Sequence, residues 1–218
     1  MITYKCLILD HDDTIVDSTK TIHYPAFLET LAILRPSQQD LSFTDFITMC
    51  HTLGFEKICD EVYHFDADEM KTEYAIWKDH TQRQTPLPFE GITEILQAFV
   101  KQGGLIAVVS HSESTEIKRD YLTHFGFEPH LVYGWELGPQ QRKPNPYPLL
   151  QILDKLALKP QECLVLDDMR LGKEMAEALK VDFAYAGWAN QSPTIRNDMK
   201  NSSFILEKVD DLKKLIFK

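Results

Sequence analysis

The chain has 218 residues, 44% hydrophobic and 26% charged, with a formal net charge of −10. These values suit a globular core with room for an inserted subdomain and exclude a disordered chain. The acidic balance argues against sequence-independent nucleic-acid binding, which needs a basic face. No apolar run approaches the roughly 18 residues of a membrane helix, and MITYKCLILD lacks a signal-peptide pattern, so a cytoplasmic protein is expected.

The first predicted element is a strand over Cys6 to Leu9, CLIL. An apolar run without alternation suits a strand buried on both faces. It leads straight into Asp10-His11-Asp12-Asp13-Thr14. Carboxylates so close together repel one another, and burial raises their energy further, unless a cation sits among them. Mg²⁺ prefers such oxygens. Read alone, a solvated acidic turn is an equal alternative.

From about Ser18 to Pro88 strand signals vanish and helix signals take over. Ser42 with Asp45, and Asp66 with Glu69, read as capping boxes. Phe43, Phe46, Ile47 and Cys50 follow the first, and Met70, Tyr74 and Trp77 follow the second at helical spacing. That last stripe is expected to pack in a core. Pro25 falls in a first helical turn or at a kink, and Thr85-Pro86-Leu87-Pro88 reads as a hinge. The segment is predicted to be a helical insertion.

Strands and helices then alternate. Ile92, Ile95, Leu96 and Phe99 share a helix face, and the strand Leu105 to Val109 ends at Ser110, ahead of His111 and Ser112. A hydroxyl with free backbone N–H groups before a helix can hold a phosphate-sized anion, although serine is also an ordinary cap. After a weaker strand at Leu131 to Tyr133 comes Lys143, in a loop stiffened by Pro144 and Pro146. A predicted helix carries Leu149, Leu150, Leu153 and Leu156 on one face. The strand Cys163 to Leu166 ends at Asp167-Asp168, where Asp168 could equally cap the next helix. Short strands at Phe183 to Ala186 and Ser203 to Leu206 follow, then a terminal helix with an Asp210–Lys214 pair. Alternation of this kind predicts an α/β fold with a parallel sheet. The cysteines Cys6, Cys50, Cys59 and Cys163 form no CxxC and read as free thiols. His51, His64 and His80 have no metal-ligand spacing.

Taken in order, these features resemble the haloacid dehalogenase-like superfamily of phosphohydrolases. Its first motif, DxDxT after a strand, is matched by Asp10, Asp12 and Thr14; its second by Ser110; its third by Lys143; its fourth by Asp167 and Asp168, with Gly172 fitting the variant acid-Asp-x-x-x-Gly. One departure is Asp13, where Gly is usual. The resemblance implies a doubly wound, Rossmann-like parallel sheet, with residues 1–17 and 89–218 as catalytic core and 18–88 as an all-helical cap. It also implies a Mg²⁺-dependent phosphatase acting on a small phosphorylated metabolite through an aspartyl-phosphate.

In that scheme Asp10 is the nucleophile and Asp12 the general acid and base. Ser110 and Lys143 hold the phosphoryl oxygens, with His111 beside them. Asp10, the Asp12 carbonyl and Asp168 hold the metal, with Asp167 as a direct or water-mediated partner, and Thr14 supports the loop. A monomer is the default. The alternatives are a sugar-phosphate mutase or a non-catalytic binding protein on the same fold. A dehalogenase has no use for Asp12, and no motif surrounds Lys20 as a phosphonatase would require.

Overall fold

A computed structural model of the chain describes residues 1–38, 40–189 and 192–218. Its strands are β1 Cys6–Leu9, β2 Leu105–Val109, β3 Leu131–Tyr133, β4 Cys163–Asp167, β5 Asp182–Ala186 and β6 Phe204–Leu206. Every predicted strand is present. They form one parallel sheet in the order β3-β2-β1-β4-β5-β6. The strand order reverses at β1, and such a switch point opens a crevice beyond the strand ends.

The helices are α1 Tyr24–Leu34, α2 Phe43–Thr52, α3 Phe55–Lys57, α4 Ala67–Arg83, α5 Ile92–Lys101, α6 Ser114–Phe125, α7 Tyr147–Lys155, α8 Arg170–Ala178, α9 Pro193–Met199 and α10 Val209–Ile216. Alternation along the buried strands separates two apolar layers. Cys6, Ile8, Ala107, Val109 and Val165 face Leu149 and Ile152 of α7, Met175 of α8 and Ile195 of α9. Leu7, Leu9, Ile106, Val108 and Leu166 face Ile95 and Phe99 of α5, Tyr121 of α6 and Leu212 of α10. Helices therefore cover both faces, which is why the strands read as unbroken apolar runs.

The predicted stripe on α7 needs one correction. Leu149 and Ile152 are buried with Leu153 and Leu156 beside them, whereas Leu150 is 48% exposed. The inward face follows i, i+3, i+4, i+7 from Leu149, and Leu150 lies one step off it.

The segment between β1 and α5 is helical, as its sequence predicted. Asp66 caps α4 by accepting from Asp68 N and Glu69 N, while Glu69 returns a bond to Asp66 N. Ser42 caps α2 through Asp45 N. A π-helical turn at Thr19–His23 runs into α1, with Pro25 in its first turn. Phe27 packs against Phe46, Phe55, Tyr63 and Phe65, so the insertion has an aromatic centre, continuous with one layer of the main core. No helix among the described residues is long and apolar enough to cross a membrane.

Candidate active site

Three neighbouring strands end at one place. In register, Leu9 pairs with Val108 on one side and Leu166 on the other. One or two residues further on, Asp10, Ser110 and the Asp167–Asp168 pair therefore share one edge of the sheet. Asp10 N–H continues the ladder to Leu166 O at 2.9 Å.

Lys143 reaches this edge from the loop before α7. Its Nζ lies 2.7 Å from Asp10 Oδ1 and 2.6 Å from Asp167 Oδ2, with all three side chains buried. Burial works against the ammonium, but Asp10 and Asp167 outweigh it and raise its pKa. Asp167 Oδ1 accepts from Met169 N–H at 2.8 Å, so both its oxygens have partners within the protein. Gly172 on α8 passes directly over this carboxylate, and a Cβ there would collide with it. Close approach therefore accounts for the glycine.

Thr14 hydroxyl donates to Asp10 Oδ2 at 3.2 Å and lies 3.5 Å from Asp168 Oδ1. The Trp188 indole donates to the Thr14 carbonyl and anchors the turn from the far side. Asp168 Oδ2 is buried and has no hydrogen-bond partner among the described residues. One carboxylate oxygen each from Asp10, Asp167 and Asp168 lies within 4.8 Å of the others. Burial pushes Asp10 up to about 7 despite Lys143. Burial, then Asp13, Asp167 and Asp10, push Asp168 well above the usual range. An all-oxygen cluster with an orphaned buried oxygen fits a hard divalent cation.

Asp12 points elsewhere. Its Oδ1 accepts from Ser18 at 2.7 Å and lies 3.0 Å from His23 Nε2. Its Oδ2 accepts from Ser112 at 2.6 Å and Ser110 at 3.3 Å. Burial opposes ionisation, but His23, His11 and Ser112 outweigh it and hold the carboxyl well below the usual range. Asp13 adopts φ 55°, the left-handed region where glycine is favoured and Asp is tolerated. Its side chain accepts from Thr19 N–H at 3.0 Å. The residue in the unusual position thus ties the first motif to the start of the helical insertion.

His111 Nε2 lies 3.2 Å from the Lys143 carbonyl, so its ring holds the lysine loop. Burial, with Lys143 and Arg142 nearby, pushes it down to about 3 and keeps it neutral. His11 turns away from the cluster: its Nε2 meets Asp120 at 3.0 Å, and Arg119 holds the other Asp120 oxygen.

A cavity of about 320 Å³ joins this edge to the insertion. Asp10, Asp12, Ser110, His111, Lys143, Asp167 and Asp168 line it, and Thr14 braces the wall from behind. Sequence reasoning did not identify Ser18, His23, Ser112 or Glu73. Only Ser112, two positions beyond Ser110, carried a usable signal. The stripe Met70, Tyr74, Trp77 meets the expectation in part: Met70 packs against the core, but all three also line the cavity. A helix laid across a cleft shows the same apolar period as one laid on a core.

Residues 7–186 match the sequence family described as haloacid dehalogenase-like hydrolase. A phosphoglycolate phosphatase of Aquifex aeolicus (strain VF5) is 25% identical over 218 residues, covering 97% of this chain and 96% of that protein. Among solved structures, a candidate phosphoglycolate phosphatase from Lactobacillus plantarum superposes with a TM-score of 0.76 at 22% identity, covering 98% of this chain and 99% of that one. A CbbY variant from Rhodobacter sphaeroides in complex with xylulose-(1,5)bisphosphate superposes with a TM-score of 0.73 at 16% identity, covering 94% of each. These structural likenesses establish the fold.

Proposed function

The chain belongs to the haloacid dehalogenase-like hydrolase family, and from that premise we propose that it is a Mg²⁺-dependent phosphatase of a small phosphorylated metabolite, acting through an aspartyl-phosphate on Asp10. The observation that carries this reading is Lys143 bridging Asp10 and Asp167 beside the orphaned oxygen of Asp168. The phosphorylated ligands named for its relatives support the substrate class. The division into a core of residues 1–17 and 89–218 and a cap of 18–88, and a cytoplasmic, monomeric state, belong to the same proposal.

The substrate phosphate would lie between Lys143 Nζ, the Ser110 hydroxyl and the N–H groups leading into α6. An Asp10 oxygen attacks phosphorus in line; a P–O bond forms to Asp10 and the bond to the leaving oxygen breaks. Asp12 delivers a proton to that oxygen, which departs as the alcohol. A water molecule then attacks the aspartyl-phosphate, giving its proton to Asp12 as inorganic phosphate leaves and the Asp10 carboxylate is regenerated. In the resting geometry Asp12 is ionised, the form the second step needs. The first step requires it to take up a proton, and turning Ser110 toward phosphate removes one of the hydrogen bonds that oppose this.

Asp10 and Asp168, with Asp167 through its Lys143-bound carboxylate, would hold the Mg²⁺. When bound, that ion supplies positive charge that offsets the repulsion between nucleophile and phosphate. Lys143 continues that neutralisation from the protein side, as expected for a reaction that rests on positioning and electrostatics.

The test is phosphate release from a panel of phosphorylated metabolites, with Mg²⁺, with chelator, and with Asp10→Asn. Release that needs both the metal and Asp10 supports the reading. Metal binding without release from any compound moves the weight to a non-catalytic role.

A further inference from the structure

The wall facing Asp10 is built by the insertion. Along α4, Met70, Glu73, Tyr74 and Trp77 follow the 3-4-7 spacing of one helix face, and all line the cavity. Phe46 and Ile47 of α2 and Phe55 of α3 complete it, with Trp135 on the core side. Whatever leaves with the ester oxygen must sit against these rings.

Two features narrow what that group is. The first is charge. Apart from Lys143, no lysine or arginine among the described residues lines the cavity, and Lys143 is already bound to Asp10 and Asp167. Arg142, next to it in sequence, lies over the Trp135 ring at 3.4 Å from the centroid and pairs with Glu56. The second is Glu73. It is 6% exposed, lines the cavity, and has no hydrogen-bond or ion-pair partner among the described residues. Burial pushes its carboxyl up to about 7, with His23 the opposing influence. The Glu73 carboxyl opens onto the cavity, so a ligand that displaces the cavity's water must replace the hydrogen bonds that water makes to it. That need is met if the partner arrives with the substrate.

We infer, on the basis of the phosphatase reading above, that the preferred substrate is the phosphate ester of a ring-sized apolar alcohol bearing a hydrogen-bond donor, an amine or hydroxyl, that Glu73 accepts. A leaving group that carries a carboxylate, as in phosphoglycolate, is disfavoured. Its charge would enter a cavity whose lysine is engaged and would meet a wall holding another carboxyl. A protonated Glu73 could donate one bond to such a group but would supply no positive charge. The cavity volume of about 320 Å³ lies at the small end of pockets that enclose a whole ligand, which suits a single ring with its phosphate.

The test compares kcat/KM for three primary-alcohol phosphates with Mg²⁺: 4-(aminomethyl)benzyl phosphate, benzyl phosphate and 2-phosphoglycolate. The expected order is as written, with about tenfold or more separating first from last, the scale set by making or losing one buried hydrogen bond. In Glu73→Leu the ratio of the amine-bearing to the plain benzyl ester falls to near one. In Glu73→Gln, which keeps the side-chain shape, the same ratio falls part of the way. Phosphoglycolate turned over best by the wild type overturns this inference and leaves the phosphatase reading standing. A ratio indifferent to Glu73 overturns the role of that residue. Failure to hydrolyse any of the three, or 4-nitrophenyl phosphate, overturns the reading beneath both.

Discussion

Trp77 Nε1 donates to Nδ1 of His23 at 2.9 Å, across rings that stack with an interplanar angle of 16°. An indole nitrogen is a donor only. Nδ1 is therefore the acceptor, the imidazole proton sits on Nε2, and Nε2–H is donated to Asp12. One side chain of α4 in this way sets the tautomer of a histidine that holds a carboxylate of the first motif.

Asp12, then Asp13 and Glu73, raise the His23 pKa against its burial, while the Trp77 N–H, aimed at the nitrogen that would take the second proton, opposes them. Trp77→Phe removes that opposition. The His23 imidazole is expected to titrate at higher pH in the variant, followed by NMR of the ring protons. The looser hold on Asp12 is expected to lower kcat/KM by between about tenfold and a hundredfold, the cost of a misplaced group. An unchanged His23 titration would contradict the tautomer assignment.

Gly172→Ala places a methyl group on the Asp167 carboxylate. Either the carboxylate moves, breaking its bonds to Lys143 and Met169 N–H, or α8 shifts away from the strand. Activity is expected to fall by about a hundredfold or more. Overpacking is expected to reduce stability by about 1–3 kcal/mol in urea unfolding. Wild-type turnover by this variant would mean that Asp167 does not need its observed position.

The buried carboxylates give stability an unusual pH dependence. Burial pushes Asp10 and Glu73 up to about 7 and Asp13 up to about 6, against about 4 for ordinary carboxylates. Between those limits the folded chain holds protons that the unfolded chain releases, so stability is full at low pH and declines as pH rises through the folded values. Asp12 and His111 have the opposite sign, but the Asp12 window lies below about pH 4 and the His111 window closes by about pH 6.5, where the raised carboxyls outweigh that one group. In chelator, Tm is expected to fall from about pH 5 to about pH 8. Mg²⁺ is expected to raise it more at the higher pH, where its ligands would otherwise be bare charges. A Tm that is flat in chelator, or indifferent to Mg²⁺ at both pH values, would contradict this picture of the cluster.

Phe27 is about 1% exposed and packs against the rings of Phe46, Phe55, Tyr63 and Phe65 at the centre of the insertion. Phe27→Ala is expected to cost about 3–5 kcal/mol. Denaturant unfolding gives the cost. A loss under about 1 kcal/mol would show that the insertion repacks freely.

The sheet was legible because its strands are buried on both faces. Cys6 to Leu9, Leu105 to Val109 and Cys163 to Leu166 have no polar interruption, and each stops at the residue that turns into the crevice. The acidic cluster was legible only in combination: each acidic turn alone had a bland reading, a solvated turn or a helix cap, and it was their recurrence at the ends of two buried strands that pointed to a shared cation. The far wall was not. Trp77 and Glu73 lie on a helix whose apolar period is that of any amphipathic helix, and whether it faces protein or a cavity depends on how the insertion docks. His23 reaches Asp12 only after the π-helical turn at Thr19–His23 rotates it there, and nothing in residue spacing announces that turn. The backbone demand at Asp13 was foreshadowed by the glycine usual in its place, although its bond to Thr19 N–H was not.

The central claim is that phosphate passes through Asp10. It is tested most directly by acid-quenching the enzyme during turnover, reducing any acyl phosphate with borohydride, and mapping the modified peptide by mass spectrometry. The account predicts conversion of Asp10 to homoserine in the wild type, with substrate and Mg²⁺ present, and none in Asp10→Asn. Full phosphate release with Asp10 unmodified under the same quench, or the modification at another carboxylate, would contradict it.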